Sequence, residues 1–273
     1  MAGALTAASG ALPALGINLI CYIAAIITLL CLQKLPKPSP APGGFSISVY
    51  VREIAEGFTF YKQFPAMLTI MIMASISNLS SIAVWTMMVP FVREVLGRDA
   101  ATMGTLSTVF ALGTLVGLSV ISMVGEIKKR RFVMLGSLGT IGLITSLWGL
   151  FPSFPFALGA VFTTGILGPF FGSLSSSLHG RLVPSNLQGR VNSIRFLIGG
   201  GLQPFGAFAG GAIAEHFGVP VLFVIAGLLP MLCASAALLL PGLKALDGDL
   251  STIEASHRLA DVESPPQGLV VER

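Results

Sequence analysis

Charge is the scarcest commodity in this chain. Asp, Glu, Lys and Arg make up only 10% of its 273 residues, against about 25% in a soluble domain. That shortage excludes an ordinary water-soluble surface and gives no footing for a nucleic-acid partner. Charge is absent altogether from residues 1–33, 63–92, 100–125, 132–180, 196–214 and 216–243. Cysteine is also scarce. Cys21, Cys31 and Cys233 lie in apolar runs with no metal-ligand spacing, which excludes a disulfide framework and predicts buried free thiols. The chain lacks H-E-x-x-H, a Gly-Lys-Ser/Thr phosphate loop and G-x-S-x-G, so no enzyme motif is present. Ser177 and His179 are close in sequence but lack the context for Ser/His catalysis. No basic segment precedes the 1–33 run, which is too long for a signal peptide.

What remains is apolar. Hydrophobic residues make up 53% of the chain, and the mean hydropathy is +0.85. About 20 such residues at 1.5 Å rise cross a hydrocarbon core of about 30 Å. Each uncharged run is therefore long enough to span a bilayer. The 132–180 run holds Phe151-Pro152-Ser153-Phe154-Pro155, which splits it into two spans. The expectation is an all-α, polytopic membrane protein with about seven transmembrane helices.

The few charges are unevenly shared. If consecutive spans alternate in direction, Lys34, Lys37, Arg52, Lys62, Lys128, Lys129, Arg130, Arg131, Arg181, Arg190, Arg195, Lys244, Arg258 and Arg273 fall on one side. Only Arg93 and Arg98 fall on the other, a split of 14 to 2. Cytoplasmic loops carry the Lys/Arg excess. The chain is thus expected to start outside and end in the cytoplasm.

Four regions follow. Residues 1–33 form the first helix. Residues 34–62 form a cytoplasmic linker, Pro-rich at first and then amphipathic, with Val49, Ile54, Phe58 and Tyr61 opposite Arg52, Glu53 and Glu56. Residues 63–243 form a six-helix bundle. Residues 244–273 form a polar, mostly disordered cytoplasmic tail, with a capping box at Ser251–Glu254. A short internal likeness links Gly3–Pro13 to Gly211–Pro220. Each has Gly-Ala-apolar, a Gly seven residues on, and Pro soon after. A repeat of six spans would match one large class of transporter.

Three segments carry a closer likeness. They are Arg52–Pro65, Val92–Gly97, and Arg181–Asn192 followed by Gly201–Gly210. Through them the chain resembles the C-terminal half of a major facilitator superfamily transporter. The nearest branch is drug efflux and siderophore export, which includes macrolide efflux proteins and the enterobactin exporter. The resemblance implies an incomplete major-facilitator fold in which the spans correspond to helices six to twelve. The loop Gly125-Glu126-Ile-Lys-Lys-Arg-Arg131 departs from that family's Gly–Asp–Arg–Gly–Arg pattern and keeps only an acid beside a basic cluster.

Several residues are candidates for specific work. Asn78, Ser81 and Trp85 share an arc of the second span with Ser75, and Thr163 lies on a polar part of the fifth. Polar groups in lipid face the bundle or a water-filled cavity, so these and Gln203 are substrate-cavity candidates. A bond to a neighbouring helix would explain Ser75 and Asn78 equally well. Pro204 in mid-span predicts a kink and hinge. Glu126, Arg130, Arg190 and Arg195 are gating candidates, although Arg195 could instead snorkel to headgroups and the basic cluster could serve topology alone. Gly113/Gly117, Gly168/Gly172 and Gly206/Gly210 are small-xxx-small pairs suited to close helix approach. No span holds an acid, so in a proton-coupled transporter the coupling acid is expected on the missing half, with His179 and His216 at loop edges as the only other candidates.

The reading is secondary active efflux of small amphipathic molecules, drug-like or siderophore-like, across a bacterial cytoplasmic membrane. No cofactor is expected beyond a proton gradient as driving force. Partners would be lipid, a small-molecule substrate, and a missing N-terminal half or a second copy. The competing reading is a non-transporting remnant or partner subunit.

Overall fold

The computed structural model describes residues 11–31, 55, 57–62, 64–184 and 187–248. Every long element in it is a helix. These are α1 (Ala11–Cys31), α2 (Pro65–Thr86), α3 (Ala100–Val124), α4 (Arg130–Leu150), α5 (Phe154–Leu182), α6 (Gln188–Gly201), α7 (Gln203–Phe217) and α8 (Val219–Leu238). The helices α6 and α7 form one span, Gln188–Phe217, broken at Leu202. Among the described residues, six spans are long and apolar enough to cross a membrane. The apolar helix α1, 21 residues long, lies in the run expected to form a seventh.

Local chemistry sets the boundaries. The Phe151–Pro155 turn separates α4 from α5, and Pro155 sits in the first turn of α5, where its missing N–H is no loss. Asp99 caps α3, accepting from Thr102 N at 3.2 Å and Thr102 Oγ1 at 3.0 Å. A π-helical turn, Phe91–Val95, follows α2.

Packing relies on glycine. The pair Gly113/Gly117 of α3 lies against the carbonyls of Phe162 and Ile166 of α5, and Gly165 answers against Phe110. The pair Gly206/Gly210 of α7 lies against Leu79 and Ala83 of α2. A third contact was not expected. Gly142 and Gly149 of α4 meet Gly227 and Pro220 of α8. Lipid gives no hydrophobic drive between helices, so close backbone approach is what holds them. One expectation needs correcting: Gly168 and Gly172 have nothing within 4 Å of a built Cβ and are not packing sites in this bundle.

Two apolar cores result. One lies at the end bearing Arg130, around Tyr61, Met67, Met134, Leu178 and Ile194. The other lies at the opposite end, around Phe91, Leu106, Trp148 and Phe223. Helix α1 is exposed at every described side chain. Cys21 and Cys31 are accordingly exposed and Cys233 half-buried, not buried as expected.

Further corrections concern the boundaries. Residues 57–62 are helical, but Phe60 and Tyr61 are buried in the first core while Phe58 is exposed. The amphipathic face is therefore rotated from the expected one. Val49, Arg52, Glu53, Ile54 and Glu56 lie outside the described residues, as do the Ser251–Glu254 box and residues 1–10 of the internal likeness. The tail begins in order: Pro241–Leu246 forms a 3-10 helix whose Leu243 and Leu246 are buried. Helix α7 runs past the expected end of its span and takes in Glu215, exposed in the last turn.

Candidate functional site

Between the two cores lies a cavity of about 290 Å³. Ser77, Asn78, Ser80, Ser81, Val84, Trp85 and Met88 of α2 form one wall, with Phe110 of α3 beside them. Leu138, Ile141, Gly142, Thr145 and Trp148 of α4 form another. The remainder comes from Val161, Thr164, Gly168, Phe171 and Gly172 of α5 and from Ala226 and Pro230 of α8. None of these residues carries a formal charge.

Exposure is graded across the cavity. Ser81 and Gly172 are exposed, and Asn78, Trp85, Thr164 and Gly168 are half-buried. Trp148, Ala226 and Pro230 are buried. The mouth thus opens between α2 and α5, and the floor rests on α4 and α8. Glycines 168 and 172 keep that mouth wide, because no side chain fills the space beside them.

Asn78, Ser81 and Trp85 lie in the wall, as the arc on α2 predicts. Thr163 does not; its hydroxyl donates to Gly159 O at 2.8 Å, and the next residue, Thr164, takes the wall position. Gln203 is exposed and outside the cavity. Trp148 and Thr145 were missed by sequence reasoning. The signal was there: Leu138, Ile141, Gly142, Thr145 and Trp148 recur at helical spacing, which puts them on one face. Two wall residues hold buried polar atoms without a partner, Ser80 Oγ and Trp148 Nε1. The Trp148 ring packs edge-to-face on Phe91 and Phe223, with centroids 5.4 and 5.1 Å away.

The helix break adjoins the mouth. Pro204 has no N–H to give, and the Leu202 N–H turns to Gly200 O. The regular ladder is interrupted there, and α2 supplies donors. Ser75 Oγ donates to Ile198 O at 2.7 Å, and Asn78 Nδ2 donates to Gly199 O at 2.7 Å. Both readings of Asn78 therefore hold at once: it lines the cavity and it clamps the break. Replacing Ser75 and Asn78 together by Ala should destabilise the bundle by about 1–3 kcal/mol, the cost of buried carbonyls left unpaired. Thermal unfolding in detergent measures this, and faster amide exchange over residues 198–203 should accompany it.

The gating candidates divide into two groups at the Arg130 end. Arg130 is fully buried. It pairs with Glu126 Oε1 at 2.7 Å and donates to Gly248 O at 2.6 Å and Leu246 O at 3.2 Å. Asp247 Oδ1 accepts from the Arg131 backbone N–H at 3.0 Å. The Arg131 Nε lies 3.4 Å from Asp247 Oδ2, near enough for charge attraction without hydrogen-bond geometry. The basic loop is thus tied to the segment after α8, a partner not foreseen.

The second group joins residues 57–62, α5 and α6. Tyr61 is buried, and burial raises its hydroxyl to a pKa of about 12 against a weaker opposing pull from Arg195. It remains a donor at neutral pH. His179, buried in the last turn of α5, places Nδ1 2.8 Å from Ser175 O and Nε2 3.2 Å from the Tyr61 hydroxyl. A carbonyl only accepts, so Nδ1 bears hydrogen, and in the neutral ring Nε2 accepts from Tyr61. Arg195 donates to Ser176 Oγ at 2.8 Å, so part of its guanidinium bonds to α5 and not to headgroups. Arg190 sits in the first turn of α6, its carbonyl close to Gly57. His216 is exposed. No cluster of metal-ligating side chains occurs among the described residues.

A family model described as Major Facilitator Superfamily matches residues 70–264, well over half of the chain. No curated protein matches it.

Proposed function

This chain belongs to the major facilitator superfamily and is a multi-pass membrane transporter, and we propose that it exports small amphipathic molecules by alternating access. The observation that carries this reading is the cavity between the two cores, apolar with a few hydroxyls and one amide, opening beside a broken helix. Substrate sites of secondary transporters lie near the bilayer midplane and beside interrupted helices. Walls of this mixed character suit amphipathic solutes. Asn78 links the two features, since one side chain touches both cavity and hinge.

The Arg130 end faces the cytoplasm in this reading, in line with the 14-to-2 bias. The two polar clusters there act as latches. A latch of charge-assisted hydrogen bonds can close one end and release it in the other state. A reporter fused at residue 2 should then be found outside the cytoplasm.

The test is accumulation of a lipophilic fluorescent dye in bacterial cells that express the full chain. Lower steady-state dye than in non-expressing cells is expected. Cells carrying Gly168→Leu at equal membrane level should return to the non-expressing value. Equal accumulation in all three would overturn the export reading.

A second reading is a subunit that docks another bundle. It is favoured by the flank of α3, where Leu112, Leu115 and Val116 are exposed beside Thr105, Ser107, Thr108 and Ser119. That partner would be an N-terminal half or a second copy, and cross-linking through a cysteine at Leu115 would reveal it.

A further inference from the structure

We infer that the ligand is an amphipathic anion whose apolar body fills the cavity and whose acid group pairs with Arg195 at the mouth. The inference rests on the cavity being the ligand site, as proposed above. It adds the charge of the molecule and the residue that reads it.

Two independent contacts place Arg195 beside the cavity. On α5, Ser176 Oγ accepts from Arg195 Nη2 at 2.8 Å. Gly172, four residues earlier on that helix, lines the cavity. On α6, Gly199 O accepts from the wall residue Asn78 at 2.7 Å, and Gly199 follows Arg195 by four residues. Residues i and i+4 lie on one face of a helix, about 6 Å apart along its axis. By both routes Arg195 stands one turn from the mouth, toward the core that holds Leu178 and Ile194. An apolar body in the cavity and an acid group on Arg195 therefore suit one small molecule.

The guanidinium is open to such a group. Arg195 is half-buried, and its bond to Ser176 leaves most of its N–H donors unused. No Arg195 nitrogen is among the buried polar atoms that lack a partner, so the unused donors are accessible. Its charge also lacks a counter-ion. The described carboxylates at this end, Glu126 and Asp247, pair with Arg130 and Arg131. Tyr61, near enough to feel Arg195, remains a neutral phenol with a pKa of about 12. A charge held within the depth of a span marks a ligand pathway, and the planar fork of arginine matches a carboxylate. A lipid phosphate carries similar charge, but headgroups lie at the interface. Arg195 is about 10 Å along its span from Gln188, which favours a solute.

Both tryptophans of the chain, Trp85 and Trp148, line the cavity, so heavy-atom quenching of their fluorescence reads occupancy. Three probes of one shape differ only in the end group: 4-(4-bromophenyl)butyrate (anion), its primary amide (neutral) and 4-(4-bromophenyl)butylammonium (cation). Each is titrated at neutral pH into the full chain in uncharged detergent. Quenching that persists in Gly168→Leu is subtracted as micellar. The butyrate should bind about tenfold more tightly than the amide, a charge-assisted hydrogen bond against a neutral one. The cation should bind most weakly. Arg195→Gln should bring the butyrate down to the amide's affinity and leave the amide unchanged, which also shows that the variant folds. Arg195→Lys should recover part of the difference. If Arg195→Gln lost the amide as well, salt would decide: the butyrate's advantage should shrink several-fold at high ionic strength, and an advantage independent of salt would overturn the ion pair. Equal binding of butyrate and amide by the unmodified chain would overturn the proposal while the cavity still stood as a ligand site. An advantage that survived Arg195→Gln would overturn it too, leaving Arg195 to a carboxylate of another bundle. Displacement of the butyrate by phosphatidylglycerol but not by phosphatidylcholine would assign the guanidinium to a lipid headgroup, again against the proposal. If no probe quenched in a Gly168-sensitive way, the underlying reading of the cavity would fail instead.

Discussion

Gly142→Leu is expected to leave no folded bundle, whereas Gly168→Leu should fold normally and lose ligand binding. The two substitutions are chemically identical and fall on neighbouring helices. They differ in what a side chain meets. At Gly142 a Cβ would lie 2.5 Å from Gly227 O and 2.8 Å from Met231 N. Both are backbone atoms of α8, which cannot swing aside as a side-chain tip can. The contact is reciprocal, since a Cβ at Gly227 would strike the Gly142 carbonyl. Leucine there must separate α4 from α8 over their length. That cost exceeds the ordinary 1–3 kcal/mol of overpacking and reaches the exceptional class above about 4 kcal/mol. At Gly168 nothing lies within 4 Å, so leucine enters the cavity. Its effect on stability should be within about 1 kcal/mol, since leaving glycine recovers roughly that much helix propensity. Size-exclusion behaviour and thermal unfolding in detergent check the first outcome. Retention of the same profile with loss of saturable binding of a radiolabelled one-ring amphipathic solute checks the second.

Arg130→Met should lower stability by about 3 kcal/mol and release the segment after α8. Arg130 is 1% exposed, and its guanidinium bonds Glu126 Oε1, Leu246 O and Gly248 O. Removing it leaves the carbonyls of Leu246 and Gly248 short of a donor. Glu126 suffers less, because its side chain is 46% exposed and can turn to water. The expected loss therefore sits at the lower end of the 3–5 kcal/mol seen when a buried pair is broken. Arg130→Lys keeps the charge but not the planar fork and should recover less than half of it. Hydrogen exchange over residues 241–248 provides the local readout. Protection there should fall in Arg130→Met and stay unchanged in the Ser75/Asn78 double variant, which acts at the break.

Much of the fold was readable in charge and proline alone. The uncharged runs locate the helices, and Phe151–Pro155 marks the turn between α4 and α5 to within a residue or two. Pro204 signals the break. The arc Asn78–Ser81–Trp85 identifies one wall of the cavity, because polar side chains in lipid must face inward. What stayed hidden depends on partners distant in sequence. Gly168 and Gly172 carry the same spacing as Gly113 and Gly117, yet only the latter meet another backbone. Spacing alone cannot say which face of an apolar helix has a neighbour. Arg130 reads as one more cytoplasmic charge until Leu246 and Gly248 come alongside it. Tyr61 reads as part of a surface helix until His179 of α5 buries it. In each case the chain supplies the chemistry, and the fold decides what stands opposite.

The most direct test is where a ligand sits. The full chain in lipid nanodiscs is photolabelled with a one-ring amphipathic aryl diazirine, digested and mapped by mass spectrometry, with and without an excess of the same amphiphile lacking the diazirine. Labels should concentrate on the peptides holding Ser81–Trp85 and Gly168–Gly172 and should fall when the competitor is added. Labels confined to outward-facing positions such as Leu115, Phe196 and Phe208, unaffected by competitor, would contradict the assignment of this cavity as the binding site.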